Sequence, residues 1–303
     1  MTMSTASTAA PARLGRPPLV WALGWATLIA NSILVVTGGA VRLTGSGLGC
    51  PTWPRCTDRS MTPHGNLNVH SAIEFGNRTL TFLLTAVAVA TLVAAILAAR
   101  RYGRSDLLWL AIGLFLGIPA QAVIGGITVL TDLNPWIVSL HLLCSMAMIG
   151  LSVLFLWRID HAGVPRAHGP VVWLAWANFA AAWAVLYVGT VVTGSGPHAG
   201  DAHSPRNGLS PLQMSQLHAD LVFLLVGLTV GLLFAALALR APRATVQAAA
   251  VLLTVELAQG TIGFVQYFTD LPIVLVGFHM LGAALVSSTV TWVLLRVRQP
   301  VAA

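Results

Sequence analysis

Eight apolar runs dominate this sequence, at residues 19–41, 71–98, 107–130, 136–157, 171–193, 214–239, 245–268 and 272–295. Each is long enough to cross the roughly 30 Å hydrocarbon core of a bilayer as a helix, which takes about 20 residues. A backbone in lipid must satisfy its own hydrogen bonds, so only helices and closed barrels span. The runs are too long for barrel strands and lack period-two alternation. The sequence therefore predicts an all-α integral membrane protein with eight transmembrane helices. Composition agrees, since 56% of the 303 residues are hydrophobic and only 8% are charged, against about 25% charged in soluble domains. A water-soluble enzyme is excluded.

All 16 basic residues are arginine, and they give a net charge of +7. Nucleic-acid binding would need them gathered on one soluble face, whereas here they punctuate the apolar runs. The N-terminus, 99–106, 158–170, 240–244 and the C-terminus hold Arg13, Arg16, Arg100, Arg101, Arg104, Arg158, Arg166, Arg240, Arg243, Arg296 and Arg298. The alternate connectors hold Arg42, Arg55, Arg59 and Arg206. By the positive-inside rule both termini are expected in the cytoplasm. No cleavable signal peptide is evident in residues 1–18, and the first run is long enough to span.

A shift of 138 residues aligns Gln121–His141 with Gln259–His279 without a gap, matching the Gln, Ile-Gly, Thr-Asp-Leu and terminal His. Asn77–Leu84 lies against His218–Leu225, and Thr44-Gly45-Ser46-Gly47 against Thr193-Gly194-Ser195-Gly196. Three matches in one order predict a four-helix unit used twice. An even number of spans per unit makes the halves parallel repeats, unlike inverted transporter repeats. The expected parts are a cytoplasmic segment at 1–18, a four-helix bundle at 19–157, a cytoplasmic connector at 158–170, a second bundle at 171–295 and a tail at 296–303.

His64, His161, His168, His198 and His203 fall in connectors and read as solvated loop residues. His141, His218 and His279 lie inside apolar runs, on the order of 10 Å from the outer surface at 1.5 Å per residue. A polar group at that depth is expensive without a partner or a function. The repeat places His218 with His279 in one half, and Asn77 with His141 in the other. Two facing imidazoles in an apolar bundle suit bis-His haem ligation. Zinc is disfavoured, because no third or fourth ligand shares that level.

Glu74, Asn77 and Arg78 share one face of the second span. Glu74 and Arg78 could form a structural ion pair, or Glu74 could handle protons beside the first-half ligand site. The repeat puts Ser215 at the matching position, which suggests a cofactor half and a reaction half. Asp220 and Glu256 read as polar contacts between helices.

Cys50 and Cys56 bracket Pro51–Arg55 in an outer loop and could close a small disulfide, structural or redox-active. Cys144 reads as a packing residue. The Thr-Gly-Ser-Gly pairs either offer backbone N–H groups to a propionate or simply end their helices. Arg42 and Arg78 are the expected propionate partners, because Arg forks match carboxylates.

With Gly38–Cys56, Glu74–Arg78, His141, Val192–Asp201, His218 and His279 in place, the chain resembles the haem A synthase family over about residues 17–296. The resemblance implies a membrane oxidoreductase that converts a methyl group of haem O, through a hydroxymethyl stage, to the formyl group of haem A for terminal oxidase biogenesis. It further implies haem b held by His218 and His279, substrate haem in the first half at His141, Glu74 as the essential acid, and a disulfide between Cys50 and Cys56. Haem O is the implied substrate, and a haem O-forming farnesyltransferase the implied partner. The electron acceptor stays open, a quinone being one candidate, and the setting is a bacterial plasma membrane with the haem sites toward the outer leaflet. One departure stands out: the family's Glu-x-x-His-Arg reads here Glu74-Phe75-Gly76-Asn77-Arg78. Either His141 alone holds the substrate iron, weakly, or another ligand substitutes; His70 is on the same face but on the order of 10 Å nearer the surface. The rival reading is a di-haem cytochrome b-type electron-transfer protein, against which an unpaired Glu74 and the missing ligand at Asn77 argue. A transporter without redox chemistry fits least, since no broken helices are visible.

Overall fold

The computed structural model describes residues 17–63, 68–161 and 169–298. Arg13, Arg16, Arg166, His64 and His168 lie outside the described residues, with most of the expected terminal segments and of the 158–170 connector. Eight helices follow in order: α1 (Pro18–Leu43), α2 (Val69–Tyr102), α3 (Ser105–Leu130), α4 (Pro135–Asp160), α5 (Pro170–Ser195), α6 (Pro211–Ala238), α7 (Arg243–Phe268) and α8 (Ile273–Val297). All eight are long and apolar enough to cross a membrane, and this is a multi-pass membrane protein. A 26-residue helix such as α1 runs about 39 Å at 1.5 Å per residue. Outward faces carry large apolar side chains, among them Phe82, Trp109, Trp173 and Phe268, each at least 70% exposed. Such faces suit lipid and not water.

Most apolar runs grow by a turn or less at each end, for reasons written in the flanking residues. Proline opens α1, α4, α5 and α6, where its missing N–H costs nothing. Asn68 caps α2 by accepting from Ser71 N–H, and Ser210 caps α6 through Gln213 N–H. α2 extends through Arg100 and Arg101 until Gly103 turns left-handed at φ 68°. The repeated Thr-Asp-Leu sequence makes one turn twice: Asp132 and Leu133, like Asp270 and Leu271, have φ between 51° and 60°. In both, the Leu N–H donates over 2.8 Å to a carbonyl five residues back, Thr128 or Gln266.

Each helix from α1 to α4 packs on its chain neighbour, and α4 returns to α1; α5 to α8 close in the same way through α5 and α8. One apolar cluster joins Val20, Ala95, Leu107, Met148 and Phe155, and another joins Ala182, Leu225, Leu232, Leu252 and Val290. Between the groups α8 lies against α1 and α4, and α4 against α5. Small and hydroxyl residues let these helices approach. The Ser287 hydroxyl donates to Met146 O over 2.9 Å, Ser139 and Thr190 hydroxyls bond, and a Cβ on Gly150 would come 3.1 Å from Thr291 Oγ1.

Candidate functional site

The intramembrane histidines all lie at the end of the molecule where odd-numbered helices finish and even-numbered ones begin. His218 on α6 and His279 on α8 face each other with ring centroids 6.4 Å apart and planes at 69°. Two imidazoles giving one nitrogen each to a metal at about 2 Å set their centroids about 6 Å apart, so the observed spacing leaves room for one iron. Each ring lies against a glycine. A Cβ on Gly189 of α5 would sit 3.1 Å from His218 Cε1, and one on Gly263 of α7 would sit 3.2 Å from His279 Cε1. Both Nδ1 atoms are buried without a hydrogen bond of standard geometry. Facing imidazoles in glycine-floored slots of an apolar bundle fit a ligated haem. Gln259 holds α7 to α8 by donating to His279 O over 2.8 Å.

The first group of helices repeats half of this arrangement. His141 on α4 lies over Gly125 of α3, whose Cβ would be 3.3 Å from Cε1, and its Nδ1 is likewise buried and unbonded. Gln121 donates to His141 O over 3.2 Å and to Ser145 Oγ over 2.5 Å. Asn77 does not join a second imidazole; its Oδ1 accepts from the Thr37 hydroxyl on α1 over 2.7 Å. His70 is exposed at the start of α2, its Nδ1 3.0 Å from Ser46 Oγ.

Glu74 is buried and fully engaged. Oε2 accepts from Cys50 N–H over 2.6 Å, and Oε1 accepts from Arg78 over 2.6 and 3.1 Å. Arg78 also donates to the carbonyls of Cys50, Thr52 and Arg55 over 3.0–3.3 Å. Cys50 and Cys56 are disulfide-bonded, and the Trp53 indole lies on Gly126 of α3, where any Cβ would clash. The pair thus clamps the cysteine loop over the end of the first helix group.

Several expectations change here. Glu74 is not unpaired, so that objection to a di-haem cytochrome falls; the substitution at Asn77 remains. Arg78 has its fork filled by Glu74 and loop carbonyls. Arg42 donates to His198 O and Thr193 O over 2.7 and 2.9 Å, bracing the segment after α5. All three nitrogens of Arg78 and two of Arg42, Nε and Nη2, are thus spent on protein acceptors. The Thr-Gly-Ser-Gly segments spend their N–H groups on protein as well: Gly47 donates to Gly200 O and Gly196 to Val192 O, and Gly45 takes φ 65°. They end helices and dock loops. Asp220 is exposed and accepts from Gln216 on its own helix over 2.8 Å. Glu256 does bridge helices, through Thr229 on α6 at 2.8 Å. Among connector histidines, His161 stacks on Trp157 at 3.9 Å, and His198 is half-buried beside Arg42 and Arg206. Lost hydration, then those two charges, hold the His198 imidazole below the usual histidine range. Cys144 is a half-buried free thiol.

Residues 20–203 match the family model described as cytochrome oxidase assembly protein, COX15-CtaA. The chain belongs to that family. The family match takes in Glu74, Arg78, the cysteine loop and His141, and ends before His218. Relatives include the heme A synthase of Geobacillus kaustophilus, 32% identical over 146 residues, or 46% of this chain and 43% of that protein. The heme A synthase of Staphylococcus epidermidis is 29% identical over 184 residues, covering 56% of this chain and 58% of that protein. That of Bacillus cereus is 30% identical over 135 residues, 41% and 42% of the two chains. The chain thus spans about half the length of these curated relatives.

Sequence reading had no role for Gly125, Gly189, Gly263 or the pair Gln121 and Gln259. A signal was present for most of them: Gln and Ile-Gly recur in both copies of the repeat, at the same distance before the histidine. For Thr229, which bonds Glu256, and Asn178, which bonds Thr229, no such signal exists.

Proposed function

We propose that this protein is a haem A synthase, oxidising a methyl group of haem O through a hydroxymethyl stage to the formyl group of haem A, for assembly of a terminal oxidase. The observation that carries this reading is the difference between two otherwise similar helix groups. One brings His218 and His279 to 6.4 Å over two glycines. The other has a single buried imidazole, His141, and a buried carboxylate, Glu74, beneath a disulfide-closed loop. We assign residues 171–295 to a cofactor unit that holds haem b on His218 and His279, and residues 19–157 to the substrate unit. The two units are read as parallel repeats with cytoplasmic termini, on the arginine distribution, which turns the histidine ends toward the outer leaflet of a bacterial plasma membrane.

Bound haem supplies one-electron chemistry at its iron. The protein's own part is to orient and to manage protons. His141 contributes one nitrogen to the substrate haem. Asn77 cannot serve as an imidazole ligand, so that haem is held weakly, which suits product release. Each oxidation stage withdraws two electrons and two protons from the substrate carbon, the first stage also adding the oxygen of a water molecule. Glu74, oriented by Cys50 N–H on Oε2, takes up one of the protons at its carboxylate, and both protons follow the electrons to the acceptor. Arg78 and Arg42 act as positioning residues, one for Glu74 and its loop, the other for the segment at 196–210. Electrons leave to a lipid-soluble acceptor of the quinone class, and haem O arrives from a farnesyltransferase partner.

Expression beside a haem O source, followed by chromatography of extracted haems, tests the reading. Haem A or its hydroxymethyl precursor is the expected product. An intact, haem-loaded protein that makes neither would sink it. Glu74→Gln is expected to stop product formation while the haem b spectrum persists; loss of that spectrum would make Glu74 structural.

A further inference from the structure

In the second helix group a polar triad includes two residues whose repeat positions in the first group are apolar. Glu256 on α7 is 3% exposed, and Asn178 on α5 and Thr229 on α6 are wholly buried. Thr229 Oγ1 is 2.6 Å from Asn178 Oδ1 and 2.8 Å from Glu256 Oε1, while Glu256 Oε2 has no partner. In the register of the repeat the first-half positions of Glu256 and Thr229 are Ile118 and Ala88, which pack together with Leu84 in one apolar cluster. Helix packing alone therefore does not require the triad. A carboxyl group within a spanning helix bundle is costly and marks function by default.

Proton counting shows what the triad can do. Asn178 Nδ2 donates to Leu174 O over 3.3 Å, which turns Oδ1, an acceptor only, toward Thr229. The Thr229 hydroxyl has a single proton for two acceptors. Both contacts are satisfied when Glu256 is protonated: its O–H donates to Thr229 Oγ1, which donates to Asn178 Oδ1. When Glu256 is ionised, the Thr229 O–H turns to the carboxylate and Asn178 Oδ1 loses its donor. The triad is a two-state proton holder that needs only a hydroxyl rotation to switch.

Its place links it to the histidine pair. Glu256 is seven residues before Gly263, the glycine under His279, so it lies about 10 Å deeper along α7 at 1.5 Å per residue. One turn beyond Glu256, Gln259 bonds the His279 carbonyl. The titratable groups on the helices around α7 are His218 and Asp220 on α6, Tyr187 on α5, and His279 and Arg296 on α8. Asp220 and Tyr187 are on exposed faces. Arg296 lies over Trp157 and Trp292 at the far end. Among the described residues of these helices, His218 and His279 are the titratable side chains that lie neither on an exposed face nor at the far end.

We propose that Glu256 is the proton-exchanging group coupled to electron transfer at the His218–His279 site. It binds one proton when the iron held there goes from ferric to ferrous and releases it when that electron passes to a quinone-class acceptor. Charge in the bundle is then conserved, as one electron and one proton enter and leave together. The electron originates in the substrate oxidation, so the inference rests on the haem reading above.

The test uses the full chain purified with its haem. The midpoint potential is measured against pH with redox mediators, and reduced-minus-oxidised infrared spectra are recorded. In the unaltered protein the potential falls as pH rises, and reduction adds a protonated-carboxyl C=O band. In Glu256→Gln both effects are lost while the haem spectrum remains. An unchanged pH dependence in Glu256→Gln, or no such band in the unaltered protein, would overturn the proposal. Should Glu256→Gln fail to assemble, Thr229→Val keeps the carboxyl and removes its partner; the band must then shift, and an unshifted band also overturns it. A haem insensitive to His218→Ala and His279→Ala would show that the ligand reading has failed, taking the proposal with it. A haem that needs both histidines yet titrates unchanged in Glu256→Gln would sink the proposal alone.

Discussion

A methyl group on Gly189 or Gly263 would stand 3.1–3.2 Å from an imidazole carbon, closer than van der Waals contact allows, and would push the ring out of its slot. Gly260, on the same helix as Gly263, has open space around it. Gly263→Ala is therefore expected to lower the haem content of purified protein several-fold, and Gly260→Ala to leave it unchanged; equal haem-to-protein ratios would refute the cradle. His198 offers a pH test. Its folded-state value is depressed, so the unfolded chain binds its proton first and stability falls as pH drops below the ordinary value of 6.5. The contribution is complete above that pH. Melting temperatures in detergent should fall less on acidification in His198→Asn than in the unaltered protein. The sequence showed His218 and His279 as a pair, because the repeat made them comparable. Their glycine floors were not visible there, since a glycine in a lipid-spanning helix has many uses.

The cysteine loop is held on α2 by a Glu74–Arg78 pair whose side chains are only 6% and 21% exposed. Removing one partner of a largely buried pair leaves the other charge uncompensated, at about 3 kcal/mol or more. Arg78→Ala should lower thermal stability by that order and open the loop at 50–56 to protease. Arg78→Lys should restore only part, because a single ammonium cannot reach the carboxylate and several carbonyls together. If Arg78→Ala leaves the loop protected, the disulfide and Trp53 hold it without the ion pair. At this scale the sequence was a good guide to elements. The apolar runs placed every helix to within about a turn at each end, and the repeated Thr-Asp-Leu stands at the same turn twice. It was a poor guide to partners. The fork of Arg78 could serve a propionate or a carbonyl, and only the path of the loop brought the carbonyls within reach.

Across the whole molecule, Arg42 couples the two helix groups by carrying a guanidinium from α1 to carbonyls in the last turn of α5 and just after it. Arg42→Ala removes two charge-assisted hydrogen bonds, at about 1.5–3 kcal/mol each. The expected result is faster proteolysis at 196–210 with the second-unit haem spectrum intact. Loss of substrate haem binding with no change in proteolysis would return Arg42 to the propionate role. Span count and the approximate bounds of the helices were determined by sequence alone, because hydrophobic length is a property of one segment at a time. The partners of Arg42, Asn77 and Glu256, and the loop carbonyls that Arg78 takes besides Glu74, were decided only by tertiary structure. Helices that are apolar on nearly every side do not specify which face meets which neighbour, so the donor that reaches each acceptor depends on how the eight helices rotate and cross.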